Sequence, residues 1–404
     1  MRNKNGDRPS AIVVGGGPAG LTAAITLAVA GLATALVGKR PAHPDNRTTA
    51  LFAGSVTALE TLGVWELCAA HASPLKIMRI VDDTGRLWRA PEVKFDADEI
   101  DLDAFGYNIE NRHLIAALEQ RAGALANLRM TDDEVRSVTP GDEAVTLTLK
   151  SGGKLSAPLV IAADGRRSLC REAAGIAVNE RDYKQAALTV CLTHTRPHRD
   201  TSTEFHTPSG PFTLVPLPGL RSSLVWVLDP AQADIIKDLN DAELAAEIER
   251  ASHSILGKIK VEAGRGVFPL SVATAKRFGA KRIALVGEAA HVIPPIGAQG
   301  LNLGLRDAAS IGELAVAAQR DDGDIGGDDV LEAYEKMRRA DVGTRTLAID
   351  LLNRTLLTDF LPVQSLRGLG LYMIDRIGPL RRAVMREGVQ PAAAQPRLMR
   401  GEVL

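Results

Sequence analysis

Between Ala19 and Val37 the chain carries no charged residue, and this run follows directly on the glycine-rich turn Gly15-Gly16-Gly17-Pro18-Ala19-Gly20. An uncharged stretch of about 20 residues is long enough to span a membrane. Its composition argues otherwise: Ala and Thr outnumber Leu and Phe, and Gly31 interrupts it. The sequence divides better into a strand over 11–14, the glycine turn, a helix over 18–30, a turn at Gly31 and a strand over 32–37. A βαβ unit reads as apolar throughout because helices cover both faces of its parallel sheet. That constrains the chain to an α/β fold.

The turn has the spacing GxGxxG. Gly15 permits the tight bend, Gly17 lets a pyrophosphate approach the backbone, and Gly20 lets helix and sheet pack closely. The helix N-terminus adds N–H donors and a partial positive charge. The acidic residue that would hold a ribose hydroxyl about 20 residues further on is missing, and Val37-Gly38-Lys39-Arg40 stands there instead. Lys39 and Arg40 either lie in a solvated loop or receive an NADP 2′-phosphate, so this motif alone leaves FAD and NADP both open.

A chain of 404 residues corresponds to two or three domains at ~150 residues each. Lys+Arg 48 against Asp+Glu 49 leaves a net charge of −1, which excludes a global basic field for nucleic acid. Cys68, Cys170 and Cys191 are too scattered for a disulfide framework or a zinc site, so no metal is expected and a reducing compartment is. The polar N-terminus runs straight into the first strand, which reads as no signal peptide. Further along, helical periodicity is expected around 51–70 and over 111–124, and strands over 143–149, 159–163, 186–192, 212–216 and 223–228. A helical acidic stretch over 231–255, a buried strand over 283–286 and a flexible acidic loop over 321–329 complete the reading, with helix from 330 onward.

Two more motifs follow strands. In Leu159-Val160-Ile161-Ala162-Ala163-Asp164-Gly165-Arg166-Arg167-Ser168, Asp164 either faces a crevice as an acceptor or belongs to a capped turn, with Ser168 as the helix cap. In Gly287-Glu288-Ala289-Ala290-His291-Val292-Ile293-Pro294-Pro295-Ile296-Gly297-Ala298-Gln299-Gly300-Leu301-Asn302, prolines stiffen a loop that enters a helix over 301–316. The amides at Gly300–Asn302 would suit a group that becomes anionic, and Glu288 could bind a polyol hydroxyl. His291 reads as a catalytic base or, more simply, as a structural hydrogen-bonder.

Together these motifs resemble the single-component FAD-dependent aromatic hydroxylases, the class A flavoprotein monooxygenases, and most of all the ubiquinone-biosynthesis hydroxylases. The residues carrying the resemblance are Asp45-Asn46-Arg47-Thr48-Thr49-Ala50-Leu51 and Pro295-Ile296-Gly297-Ala298-Gln299-Gly300-Leu301-Asn302-Leu303-Gly304-Leu305-Arg306-Asp307. The resemblance implies a Rossmann-like, glutathione-reductase-like FAD-binding domain, an inserted, mainly antiparallel β-sheet substrate domain, and C-terminal helices. The implied division is 1–75, 107–184 and 262–335 for FAD, 76–106 and 185–261 for substrate, and 336–404 for the helical end.

By the same resemblance Gly15, Gly17, Ala19 and Gly20 bind the pyrophosphate of a non-covalent FAD, and Arg47 lies near flavin and pyridine nucleotide. Arg112 matches an arginine near FAD. Asp164 and Gly165 serve FAD and NAD(P)H, and Glu288 contacts the ribityl chain. Pro295 borders the isoalloxazine, with Gly300, Leu301 and Asn302 at its pyrimidine edge. Pro295 and Arg47 are the implied catalytic pair. The sequence departs from the family at Gly38 for the acidic ribose ligand, Glu288 for Asp, and Ala298 for Gly, from which weaker FAD retention is expected.

The implied activity is hydroxylation of a phenolic, polyprenylated ring with NAD(P)H and O₂ through a flavin C4a-hydroperoxide, with the cofactor doing the chemistry. Phe212, Pro216, Leu217 and Trp226 are candidate apolar walls for this substrate. The alternatives are a reductase or halogenase of the same fold, or a non-catalytic scaffold of a biosynthetic complex. Residues 351–387 carry six arginines against Asp359, Asp375 and Glu387, with Leu351, Leu352, Leu356, Leu357, Leu369, Leu371, Ile374, Ile377 and Leu380 between them. Such a basic amphipathic segment either lies on an anionic membrane, joins a complex, or packs on the body with a solvated face. The expected location is cytoplasmic, with the membrane's inner face as the peripheral site.

Overall fold

The computed structural model describes residues 8–39, 47–85, 90–295, 297–346, 370, 372–374, 376–389 and 395–404, and the backbone alone of 347–357. Arg40, Asp45, Asn46, Ile296, Leu369 and Leu371, and the side chains of Leu351, Leu352, Leu356 and Leu357, lie outside the described residues.

The glycine turn sits at the centre of a six-stranded sheet. Its order is Gly279–Ala280, Ile283–Leu285, Leu159–Ala162, Ala11–Val14, Thr34–Val37, Leu128–Thr131. All neighbours are parallel except the edge strand Gly279–Ala280. From Ala11–Val14 the chain proceeds outward on one side to Thr34–Val37 and Leu128–Thr131, then returns to build on the other side. The order therefore reverses at the first strand. Such a switch point opens a crevice beyond the carboxyl ends of the strands, and Gly15 lies there. The helix Pro18–Val29 is buried along nearly its whole length, which accounts for its lack of charge without a membrane.

The second large element is a nine-stranded sheet. Val178–His194, Arg221–Leu228, Gly210–Leu217 and Thr201–Thr207 form its antiparallel centre. Ile77–Asp82 joins in parallel beside Thr201–Thr207, and Val93–Asp96 closes that edge. Helices Pro230–Asp238 and Asp241–Ala251 cover one face through Leu188, Phe212, Leu224, Trp226, Leu244 and Ile248.

Three local expectations need correction. The stretch 51–70 is not one helix: Thr48–Phe52 is a strand paired with Gly106–Glu110, and the helix is Ala53–Thr61. Gly63, at φ 69, ends it. The strand expected over 186–192 runs from Val178 to His194. Its polar first half has no alternating signal and is specified by pairing with Ser271–Ala275 before a bulge at Asp182/Ala186. The acidic loop at 321–329 is fixed, because Asp324 takes a bidentate pair from Arg282 at 2.8 and 2.6 Å and Ile325 is buried.

Candidate functional site

At the crevice the three glycines of the first turn differ physically. A Cβ on Gly15, at φ 121, would fall 2.1 Å from Ala163 O, and one on Gly20 would fall 2.0 Å from Gly15 O. Both must be glycine for packing. A Cβ on Gly17 would meet nothing within 4 Å, so its backbone faces open space. Gly17 is also the N-cap of Pro18–Val29, which has neither a side-chain cap nor an acidic first turn.

The Gly/Pro loop converges on the same place. Ala19 Cβ lies 3.3 Å from where a Cβ on Gly287 or Gly304 would stand, which joins the first motif to the third. Glu288 and Pro295 are exposed, and Leu301 is half-buried. The helix Gln299–Arg320 starts from Ala298 in the left-handed region at φ 51, again without a side-chain cap or first-turn acid. Gly297 and Gly300 face open space. Asn302 is a clamp: Oδ1 accepts from Phe52 N at 2.9 Å, and Nδ2 donates to Ala50 O and Ala298 O. Two uncapped helix ends and glycines bordering open space fit a dinucleotide with an anionic flavin edge.

Asp164 takes its turn-forming role here. Its Oδ1 accepts from Ser168 Oγ at 2.6 Å and its Oδ2 from Cys170 N at 3.1 Å, while Ser168 Oγ caps Arg171 N. Gly165, at φ 80, has open space beside it. Arg47 and Arg112 are drawn together because Asn111 N donates to Arg47 O at 2.8 Å. The Arg47 guanidinium lies over the Phe268 ring, 5.6 Å from its centroid. Arg112, 44% exposed, pairs with buried Glu110 at 2.8 Å. Arg221 reaches Glu110 at 3.2 Å and Glu262 at 2.7 Å. Burial pushes the Glu110 carboxyl up, but the Arg221 and Arg112 guanidiniums outweigh it and hold it low.

His291 has the structural role. It is buried, with Nε2 2.7 Å from Asp307 Oδ2, and Asp307 Oδ1 accepts from buried Arg338 at 2.7 Å. Asp307 also accepts from Gly287 N at 2.9 Å, so the network ties the loop to two helices. Burial raises the Asp307 carboxyl, yet the His291 and Arg338 charges hold it below the usual carboxylate range.

The candidate apolar wall divides. Phe212 and Trp226 pair in register and pack edge to face at 5.1 Å within the cluster under the two covering helices. They line the covered face, not the one toward the crevice. Alternation gives Pro216 the same side as Phe212 and gives Leu217 the opposite side. The opposite face carries Ser223, whose Oγ accepts from Thr48 Oγ1 at 2.8 Å and from Asn108 Nδ2 at 3.1 Å. That polar knot holds the nine-stranded sheet against the strand leading into the crevice. Residues 115 and 175 positions apart leave no local signal, and sequence reasoning missed them. Arg338 was missed for the same reason, while Asp307 lay unassigned inside a quoted motif.

Gly38 has a steric cause. A Cβ there would stand 2.3 Å from Gly16 N and 2.8 Å from Gly16 Cα. Lys39 pairs with Glu134 at 3.2 Å, a carboxylate that also takes Lys150.

Residues 8–348 match the family model described as "FAD binding domain". The chain is 35% identical over 400 residues to the ubiquinone hydroxylase UbiL of Rhodospirillum rubrum, covering 96% of this chain and 92% of that one. It is 33% identical to the 3-demethoxyubiquinol 3-hydroxylase of Escherichia coli, covering 93% and 96%. Among solved structures, p-nitrophenol 4-monooxygenase from Pseudomonas putida superposes with a TM-score of 0.78 at 20% identity, over 96% of this chain and 99% of that one.

Proposed function

The chain belongs to the FAD-binding-domain family and, within it, to the ubiquinone-biosynthesis hydroxylases, and from that membership we propose that it hydroxylates a phenolic, polyprenylated precursor ring. It is an FAD-dependent monooxygenase using NAD(P)H and O₂. When bound, FAD would supply the redox and oxygen-activating chemistry by which one atom of O₂ reaches an electron-rich ring.

The protein's own part is binding, orientation and exclusion of water. Gly15, Gly17, Ala19 and Gly20 would hold the pyrophosphate, and the amide-rich end at Gly300–Asn302 would stabilise charge developing on the flavin's pyrimidine edge. Pro295 borders the ring system, Glu288 the ribityl chain, and Arg47, Arg112, Asp164 and Gly165 the remaining rim. The observation carrying this reading is that two uncapped helix N-termini, with open glycines, meet in one crevice. The proposed division assigns 1–75, 107–184 and 262–335 to the cofactor, 76–106 and 185–261 to the substrate and 336–404 to the helical end. Purified protein should show a flavin spectrum that denaturation releases, and phenols should stimulate its NAD(P)H oxidation. A protein that stays colourless with added FAD would refute the assignment.

A second element of the proposal is a peripheral membrane contact. Helix Gly378–Val389 buries Met385 and Val389, while Arg381 makes a bidentate pair with Glu99. Just ahead of it Met373 and Ile377, and along its other side Leu380 and Val384, are exposed at 37–43%, at helical spacing in a stripe beside exposed Arg376, Arg382 and Arg386. Ile374 packs inward. Such a stripe suits a lipid surface that stores a prenylated substrate. No helix among the described residues is long and apolar enough to cross a membrane.

A further inference from the structure

A phenol donates electrons to an incoming oxygen far better once its O–H proton has left, so an aromatic hydroxylase gains from a base at the ring hydroxyl. We propose that His206, oriented by Glu204, is that base. The inference rests on the hydroxylase reading above and adds to it a residue pair outside its motifs.

The placement follows from register. Along the nine-stranded sheet Ile80, Glu204, Thr213, Val225 and Thr189 pair successively and so share one face. The next row on that face is Asp82, His206, Pro211, Val227, Ala187 and Phe268. This is the face of Ser223, two residues from Val225, which Thr48 holds against the crevice. Two further contacts tie the face to the candidate flavin site. Phe268 lies under Arg47. Ile80 belongs to the apolar cluster of Phe52 and Ala298, and Ala298 is the residue before helix Gln299–Arg320. The covered face, in contrast, carries Phe205, between Glu204 and His206.

The pair has the chemistry of an oriented base. Glu204 Oε1 lies 2.9 Å from His206 Nε2, and Oε2 accepts from Thr213 Oγ1 at 3.2 Å. An ionised carboxylate only accepts, so Nε2 carries the hydrogen, and in the neutral imidazole Nδ1 keeps the lone pair. Among the described residues buried His206 Nδ1 has no hydrogen-bond partner, an arrangement that ordinarily needs an explanation. Burial raises the Glu204 carboxyl, and its hydrogen bonds from His206 and Thr213 hold it below its ordinary value. Among the described residues the charged groups on this face include Asp82, whose oxygens accept from Thr84 and Ala90 N, and Arg221, paired with Glu110 and Glu262, while Arg47 lies over Phe268.

In the proposed step the phenol O–H bond breaks, its electron pair stays on oxygen, and the proton passes to Nδ1. The imidazolium so formed is held by the Glu204 carboxylate. Nothing is oxidised or reduced in this step. The same logic of a carboxylate fixing the tautomer of a histidine base operates in hydrolytic triads.

The test uses FAD-loaded full-length protein and 4-nitrophenol, a phenol whose anion is yellow, titrated with pH by difference spectroscopy. On the wild type the bound probe should ionise at least about one pH unit below its value in water, a tenfold shift. His206→Gln should abolish that shift, and Glu204→Gln should reduce it, both with FAD content unchanged. Thr213→Val, which removes only one bond to Glu204, should give a smaller loss and guards against a folding artefact. The proposal is overturned if the probe does not bind, if it stays neutral on the wild type, or if it ionises equally on His206→Gln. Hydroxylated product is assayed separately. Ionisation without hydroxylation would sink the hydroxylase reading and leave the base assignment standing. Hydroxylation with no effect of His206→Gln on ionisation would do the reverse.

Discussion

At the residue scale, Gly38 and Asp307 show how one atom decides a site. Gly38 stands where the family places an acid, so restoring Glu would look like a repair. The built Cβ, 2.3 Å from Gly16 N, argues the opposite: any side chain there displaces the glycine turn. Gly38→Glu should weaken FAD binding about tenfold or more, measured by fluorescence quenching on titration. Asp307 is a buried anion held by Arg338 and His291, and removing one side of such a group typically costs about 3–5 kcal/mol. Asp307→Asn should lose stability of that order in urea unfolding at neutral pH. Because the folded carboxyl sits below its unfolded value, its contribution is complete above about pH 4 and is lost as pH falls through the folded value. The wild type should therefore lose stability in acid, and Asp307→Asn should show a flatter acid limb.

At the scale of elements, legibility followed periodicity and chain proximity. The first strand and helix were readable because glycine turn, apolar run and Gly31 all lie within one short stretch. Residues 178–184 were not, because an exposed polar strand carries no alternation and is fixed by a distant partner. Phe212 and Trp226 illustrate a related limit: alternation says that half of a strand is buried, but not against which layer. The C-terminal segment shows both sides of its ambiguity, with Met385 and Val389 packed and Ile377 and Leu380 exposed. Residues Leu398, Met399 and Leu404 belong to the main core, so truncating the end would test folding rather than docking. The double variant Ile377→Asp/Leu380→Asp instead should lower co-sedimentation with anionic vesicles several-fold while FAD content holds. Equal sedimentation of variant and wild type would remove the membrane contact.

At the scale of the whole molecule, two sheets divide the work. The parallel sheet opens a crevice where its strand order reverses, and the nine-stranded sheet presents one face to it through the Thr48–Ser223–Asn108 knot. The three motifs predicted the crevice because each follows a strand of the same parallel sheet. The facing wall was illegible, since its residues come from strands joined only by tertiary pairing. The most direct test of this account is to load the protein with FAD, supply NAD(P)H, a prenylated phenol and isotopically heavy O₂, and weigh the product. One heavy oxygen atom in the ring for each NAD(P)H oxidised is the predicted result. Oxidation of NAD(P)H that yields only hydrogen peroxide and unchanged phenol, across the phenols tried, would contradict it.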